Sequence, residues 1–454
     1  MLVPFMTIAA LSEAEAFLRG LALRPGLSPE SGEEGRADAE NGQSVEASVA
    51  GILADVRLRG LPALVEYTRR FDAPEFSPAC FAVPADALAA AAAAVSSDDM
   101  AVIREAAANI RFFHEAQKEA SWFLPRPDGT MLGQMTMAVD RAGLYVPGGK
   151  GGDTPLISSL LMSAVPAQVA GVAEIAVVSP PRSDGTVSPY ILAAAEFLGI
   201  REVYAAGSAW AIGALAYGAG PLRPVDVIAG PGNIFVTTAK RLLIGVVGID
   251  MLAGPSEICI IADASADPAW IAADMLSQAE HDSLASAVCI CTDKTVGEAA
   301  SRALERQCDE LPRAAIARES LQQYGAIIVV PDMDTALRLA DRICPEHLEL
   351  LVNDPWPLLP RIRHAGAIFM GHYSPEALGD YFAGPNHVLP TMGTARFASA
   401  LSVSTFCKKT SLIAAGREFA ASGAESIARL ARLEGLEAHA RSALCRKAPC
   451  KGQA

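Results

Sequence analysis

An α/β fold is what this sequence predicts: two Rossmann-like parallel-sheet domains with small helical domains at the N- and C-terminal ends. Three observations carry that expectation. From residue 142 onward, short β-branched and apolar runs alternate with helical stretches, the signature of βαβ units. The alternation then resumes as a second series after residue 257. Finally, 454 residues exceed one ordinary core, and 51% hydrophobic against 19% charged residues suits a well-buried enzyme.

Taken in order, residues 1–20 carry a short amphipathic helical pattern. Residues 25–45 are acidic, contain Gly and Ser and hold almost no large apolar group, so a mobile insertion is expected. Helical periodicity runs over 45–71 and again over 86–113, both as helices packed on a core, with His114 ending the second at the surface. Strand-like runs follow at 142–146, 174–179, 202–206 and 225–229, with helices between them. The second series lies at 258–261, 287–291, 326–330, 348–352 and 367–370. After residue 401 the pattern is helical to the end. Functional groups are expected where loops leave the strand ends.

A formal charge of −14 argues against nucleic acid or an anionic membrane as partner. No run of apolar residues is long enough for a membrane span. The N-terminus has no Lys or Arg before its apolar run and no small-residue cleavage site, so no signal peptide is expected. Nine cysteines are scattered without a Cys-x-x-Cys pair, which fits a reducing cytoplasm.

Several segments can carry chemistry. Asp267 is a plausible N-cap with Pro268 at the first helical position, and the helix it opens ends in Leu276-Ser-Gln-Ala-Glu-His281. Gln278 and His281, three apart, project from one face of it. Three glycine turns, Tyr145-Val-Pro-Gly-Gly-Lys-Gly-Gly152, Gly230-Pro-Gly-Asn233 and Ala253-Gly-Pro-Ser-Glu257, either let backbone N–H groups approach a phosphate or are simply tight βα turns. Glu346 and His347 stand side by side before a strand, where an acid and an imidazole can share proton transfer. Asp380 and His387 lie in a Gly- and Pro-punctuated segment, 379–390. Glu434 and His439 sit on a helix near the C-terminus. Two imidazoles, a carboxylate and an amide (His281, His439, Asp380, Gln278) would suit zinc with open positions for substrate.

These segments together resemble the histidinol dehydrogenase family, over about residues 45–445. The resemblance rests on Gly230-Pro-Gly-Asn233, Asp250-Met-Leu-Ala-Gly-Pro-Ser-Glu257, Leu276-Ser-Gln-Ala-Glu-His281, Pro345-Glu-His-Leu-Glu349, Gly384-Pro-Asn-His-Val-Leu-Pro390 and Glu434-Gly-Leu-Glu-Ala-His439, in one order. It implies oxidation of L-histidinol to L-histidine through histidinal, the last steps of histidine biosynthesis. NAD would be used twice, with one zinc per subunit, in a cytoplasmic homodimer. Gln278, His281, Asp380 and His439 would be the zinc ligands, His439 reaching across from the partner subunit. Glu346 and His347 would be the acid/base pair. Ser256, His387 and Glu434 would contact the substrate, beside the ligands and His347. Tyr145 and Asn233 match positions that touch NAD.

Two departures fall on the cofactor side. Where the family usually has Gly-Gly-Ala-Gln-Ala-Ile, this chain reads Gly207-Ser-Ala-Trp-Ala-Ile212, so Trp210 replaces a Gln that contacts cofactor. Trp210 would either stack on a cofactor ring or fill space beside its helix. The turn 145–152 is also longer than usual. The implied division is 46–144 with 256–395 as the α/β domain carrying metal and catalytic residues, and 145–255 inserted on the NAD side. Residues 1–24 with 396–421 would form a small helical domain, and 422–454 a dimerising tail. The alternatives are a related zinc- and NAD-dependent dehydrogenase of another small polar alcohol, such as a sulfonated diol, a metallohydrolase in which Glu346 activates zinc-bound water, or a structural oligomer.

Overall fold

The computed structural model describes residues 2–22, 44–148 and 154–447. Most of the expected 25–45 insertion, and positions 149–152 of the long turn, lie outside the described residues. The chain divides into two compact units, Met1–Gln117 with Asp140–Phe406, and Lys118–Val139 with Cys407–Ala454.

The larger unit holds two parallel sheets. The first runs β1 (Phe5–Thr7), β11 (Ala326–Val329), β10 (Ser286–Cys291), β9 (Glu257–Ala262), β12 (His347–Leu351) and β13 (Ala367–Met370). Its strands are almost continuously apolar because both faces are covered. The second runs β6 (Glu202–Ala205), β5 (Glu174–Ser179), β4 (Arg141–Tyr145), β7 (Val227–Ala229) and β8 (Gly248–Ile249), again parallel. In both, the chain starts a central strand, winds outward to one side, then restarts on the other. The two reversal points lie between β9 and β12 and between β4 and β7. Such reversals open crevices between diverging loops.

Six helices clad the first sheet's segment of the chain: α1 (Glu15–Ala22), α10 (Pro268–Ala279), α11 (Lys294–Asp309), α12 (Ala314–Tyr324), α13 (Met333–Ile343) and α14 (Glu376–Tyr381). Ile271, Met275 and Ala279 of α10 pack on Ile258, Ile260 and Leu351 in one core. Leu348 and Leu350 of β12 point into the opposite core. Strand alternation therefore turns His347 and Glu349 toward the α10 face.

The second sheet is covered by α6 (Ile157–Ala170), α7 (Pro189–Phe197), α8 (Ser208–Tyr217) and α9 (Ile234–Leu242). Over them lie α2 (Val45–Arg59), α3 (Leu61–Phe71), α4 (Ala85–Ala94) and α5 (Ser97–Glu115). α2 packs on α8 and α9, α3 on α8, α4 on α7 and α5 on α6. Helix α8 is apolar all round, as a helix between sheet and outer layer must be. The expected division joined 46–144 to 256–395; here helices α2 to α5 pack on the helices of the second sheet, α5 also touches the 382–386 loop, and residues 118–139 belong to the smaller unit. A boundary at 144 would also cut β4, a strand near the middle of that sheet.

The smaller unit is an antiparallel sheet, β14 (Cys407–Ala414), β3 (Met131–Ala138) and β2 (Trp122–Pro125), with α15 (Arg417–Leu433) and α16 (Glu437–Leu444). The tail after residue 401 is thus not purely helical, and residues 5–7 are a sheet edge rather than part of a helical domain. Among the described residues no helix is long and apolar enough to cross a membrane.

Candidate active site

His347 opens β12 and is 3% exposed. Its Nδ1 lies 2.9 Å from the carbonyl oxygen of Glu257, on the neighbouring strand. A carbonyl only accepts, so Nδ1 carries the proton and Nε2 keeps its lone pair. That Nε2 is buried without a hydrogen-bond partner, 3.8 Å from Asp380 Oδ1. Burial pushes the imidazole down to about 4, against the Glu257 carbonyl, so the ring is neutral at ordinary pH. Glu346, also buried, accepts the Glu257 N–H at 2.9 Å, and burial raises its carboxyl well above the usual range. Both groups stand at the amino ends of β9 and β12, not the carboxyl ends where doubly wound sheets usually hold ligands.

Asp267 caps α10 by accepting the Ala269 N–H at 2.7 Å, with Pro268 in the first turn, as the sequence suggests. At the other end Gln278 is 1% exposed, and neither its amide oxygen nor its nitrogen has a partner. An orphaned buried amide is unfavourable by roughly 1–3 kcal/mol, so a missing partner is implied. His281 lies just beyond the helix. Its ring and the carboxylates of Glu376 and Asp380 on α14 bring ligand atoms within 4.8 Å of one another. Imidazole, carboxylate and an unpaired amide oxygen are a fitting donor set for a divalent cation. Burial raises Asp380 to about 6 in the metal-free chain.

His387 is half-buried, with its Nε2 unpartnered and its pKa pushed by burial to about 4. Its loop is fixed at Gly384, where φ is +108° and a Cβ would fall 2.5 Å from the Asn109 carbonyl oxygen. Asn386 donates to the Met162 carbonyl at 2.6 Å and lies 3.4 Å from His114 Nε2. His114, expected at the surface, is fully buried, with Nδ1 2.8 Å from the Ile110 carbonyl. His347, Phe369, Asp380, Asn386 and His387 line one cavity of about 250 Å3. Ser256 immediately precedes β9, and its carbonyl accepts the Ser286 N–H.

Beneath the site is a buried acid array that sequence reading missed. Glu349 accepts the Glu376 N–H at 2.7 Å, and Glu376 accepts from Ser277 at 2.9 Å. Burial raises Glu349 and Glu376 well above the usual range and Asp274 to about 6. The signal was there in the spacing: Glu349 shares a strand face with His347, and Asp274 lies one turn before Gln278.

On the second sheet Tyr145 ends β4, its buried hydroxyl accepting the Ser208 N–H at 3.2 Å. Gly230 faces it across the reversal point, where φ is +121° and a Cβ would sit 2.1 Å from the Tyr145 carbonyl oxygen. Asn233 is exposed and caps α9, its Oδ1 accepting from Phe235 and Val236, which leaves its NH2 free to donate. Of the two roles open to Trp210, its surroundings favour the space-filling one. Trp210 is 3% exposed, its rings stack with Tyr67 and Phe71, and its N–H donates to Thr68 at 3.1 Å. An indole so enclosed fills space beside α3 and offers no ring face to a cofactor.

Glu434 and His439 belong to the smaller unit, both exposed. They do not share one helix: Glu434 ends α15, Gly435 turns the chain at φ +76°, and His439 lies on α16.

Comparison with known proteins places this architecture. A family model described as histidinol dehydrogenase matches residues 36–447. The histidinol dehydrogenase of Nitratidesulfovibrio vulgaris Hildenborough is 64% identical over 412 residues, covering 91% of this chain and 94% of the relative. That of Oleidesulfovibrio alaskensis G20 is 63% identical over 408 residues, covering 90% and 94%. The crystal structure of histidinol dehydrogenase from Elizabethkingia anophelis superposes with a TM-score of 0.88 at 34% identity, covering 98% of both chains. The chain belongs to the histidinol dehydrogenase family and is an oxidoreductase of histidine biosynthesis.

Proposed function

We propose that the enzyme oxidises L-histidinol to L-histidine through histidinal, by two successive hydride transfers in one site. The observation that carries this reading is the cavity that gathers His347, Asp380 and His387; the buried, unpaired amide of Gln278 supports it. Gln278, His281, Asp380 and the partner subunit's His439 would hold zinc. Zinc bound there supplies the charge that fixes the imidazole and amine of the substrate. NAD bound at the Tyr145, Gly230 and Asn233 crevice supplies the hydride acceptor for each oxidation.

The residues of the chain do the rest. His347 Nε2, the free lone pair of a neutral ring, takes the hydroxyl proton as the carbinol carbon is oxidised. Glu346, its carboxyl made more basic by burial, takes a proton from the water that adds to histidinal. His387 and the partner subunit's Glu434 grip the imidazole and amine of the substrate, with Ser256 just before β9. Holding the carbon in line in this way is worth several powers of ten in rate.

A homodimer with shared metal sites is part of this reading, supported by the smaller unit, where Leu430, Leu433, Leu436, Trp122 and Phe123 are exposed along with Glu434 and His439. The eight described cysteines are free thiols, in keeping with a reducing cytoplasm. Within this reading the second sheet is the cofactor side, and the 256–395 segment carries metal and acid–base groups.

The test is NADH released per L-histidinol. Two equivalents are expected. One equivalent, or activity only with another small polar alcohol such as a sulfonated diol, would overturn it.

A further inference from the structure

In doubly wound sheets that bind dinucleotides, the second strand usually ends near an acid that receives a ribose hydroxyl. Here the second strand, β5, ends in Ser179-Pro180-Pro181, with no acid at that place. A carboxylate reaches it from elsewhere in the chain. Asp72, the residue that ends α3, lies against the same corner: a Cβ on Gly207 would fall 3.0 Å from Asp72 Oδ2 and 3.1 Å from the Pro180 side chain. Gly207 leads into α8, so the acid sits where β5 and β6 give way to their loops. Next to Gly207, Ser208 adopts φ +47°, a conformation that residues other than Gly rarely hold, and gives its N–H to Tyr145.

Two polar atoms at this corner are buried without partners, Asp72 Oδ2 and Ser179 Oγ, and Ser179 is 1% exposed. At the opposite end of the strands the carboxylates have a cation: Arg141 donates to Glu174 and Glu202. Burial with nothing to offset it pushes Asp72 up to about 7. A desolvated carboxylate oxygen calls for a neutral hydroxyl donor and repels an anion. Of the arginines near this corner in sequence, Arg182 is committed to Asp184 and Thr186 in its own turn, Arg69 gives its Nε–H to the Phe76 carbonyl and Arg70 lies over the Phe71 ring, so a phosphate would have to compete for each.

We propose that Asp72 receives a ribose hydroxyl of the dinucleotide, with Ser179 beside it, and that this carboxylate makes the enzyme select a free 2′-hydroxyl over a 2′-phosphate. The proposal rests on the NAD reading above and names the residue that would set its specificity. It assigns to the end of α3 a role that usually belongs to the second strand.

The experiment measures binding of ADP-ribose and of 2′-phospho-ADP-ribose by calorimetry, for the wild type, Asp72→Asn and Asp72→Ala, with zinc content as the check on folding. A hydrogen bond to a charged group corresponds to about a tenfold to hundredfold change in affinity. Asp72→Ala is therefore expected to weaken ADP-ribose by about that factor. Asp72→Asn, nearly isosteric and with an acceptor oxygen retained, is expected to weaken it less, while the preference against the 2′-phosphate collapses. If wild type binds ADP-ribose and both variants keep its affinity and its discrimination, the Asp72 assignment is overturned and the NAD reading stands. If wild type binds neither ADP-ribose nor NAD, the NAD reading itself is overturned.

Discussion

The imidazole of His347 is a base because of a bond made at its other nitrogen. Donation from Nδ1 to the Glu257 carbonyl fixes the tautomer, and burial keeps the ring neutral. Replacing it with Gln is expected to lower kcat by about 10² to 10⁴, the usual contribution of a positioned base, while zinc content holds. Stopped turnover analysed for products, together with metal analysis, checks this. Asp72 gives a prediction about stability. Its folded pKa is about 7 against an ordinary 3.8, so between those values the folded state binds more protons than the unfolded. In the cofactor-free enzyme this group makes stability fall as pH rises from about 4 to about 7 and then level off. Asp72→Asn should flatten that part of a melting-temperature profile against pH; an unchanged slope would mean the carboxyl is not protonated in the fold. Trp210 was legible as a departure, but which of its two roles it plays depends on Thr68, Tyr67 and Phe71, on a helix whose packing no local pattern reveals. Restoring the family Gln at 210 is expected to destabilise by about 3 kcal/mol or more in urea unfolding, as for other large core truncations. His114 was misread for the same reason: the loop that buries it arrives some 270 residues later.

At the scale of elements, the turn 230–233 is held more firmly than its glycines alone would allow. Asp250, at the end of β8, accepts the Gly230 N–H at 2.8 Å, and the buried Lys240 of α9 donates to the Gly230 carbonyl at 3.0 Å while pairing with Asp250. Both backbone groups of the glycine that faces Tyr145 are thereby fixed. Lys240→Met would leave Asp250 charged, buried and unpaired, and is expected to be destabilising by about 3–5 kcal/mol. The double variant Lys240→Met with Asp250→Leu should recover part of that loss while dinucleotide affinity stays low, because the turn is no longer pinned. A chemical-denaturation double-mutant cycle separates the two effects. The nine strands expected from apolar runs all exist, because parallel strands buried on both faces declare themselves without alternation. The edge strands β1 and β8 are three and two residues long, too short to register. β14 was read as helix because its outward face is exposed and its partner strand is remote in sequence.

At the scale of the whole molecule, the acid–base pair, three expected metal ligands, Gln278, His281 and Asp380, and the His387 loop all come from one unit, and Glu434 and His439 from the other. If the metal site is completed between subunits, mixing His439→Ala with Asp380→Ala chains should recover about one intact site per mixed dimer. Zinc content and activity near that fraction are expected; no recovery would place all ligands in one chain. The division into units was the least legible feature, since it depends on which helix lies on which sheet. Nothing in the periodicity of residues 45–115 tells that α2 meets α8 and α5 meets α6. The pairing of β3 with β14 has a further consequence, one of timing. Residues 131–138 find their partner only when residues 407–414 exist, about 270 positions later. At roughly 5–20 residues per second on the ribosome, the β2–β3 hairpin, with the outer edge of β3 unpaired, waits on the order of 15–50 s for its third strand. The nascent enzyme therefore carries a sticky, incomplete sheet through most of its own synthesis, and a pause or premature stop before residue 407 would yield a chain prone to aggregate.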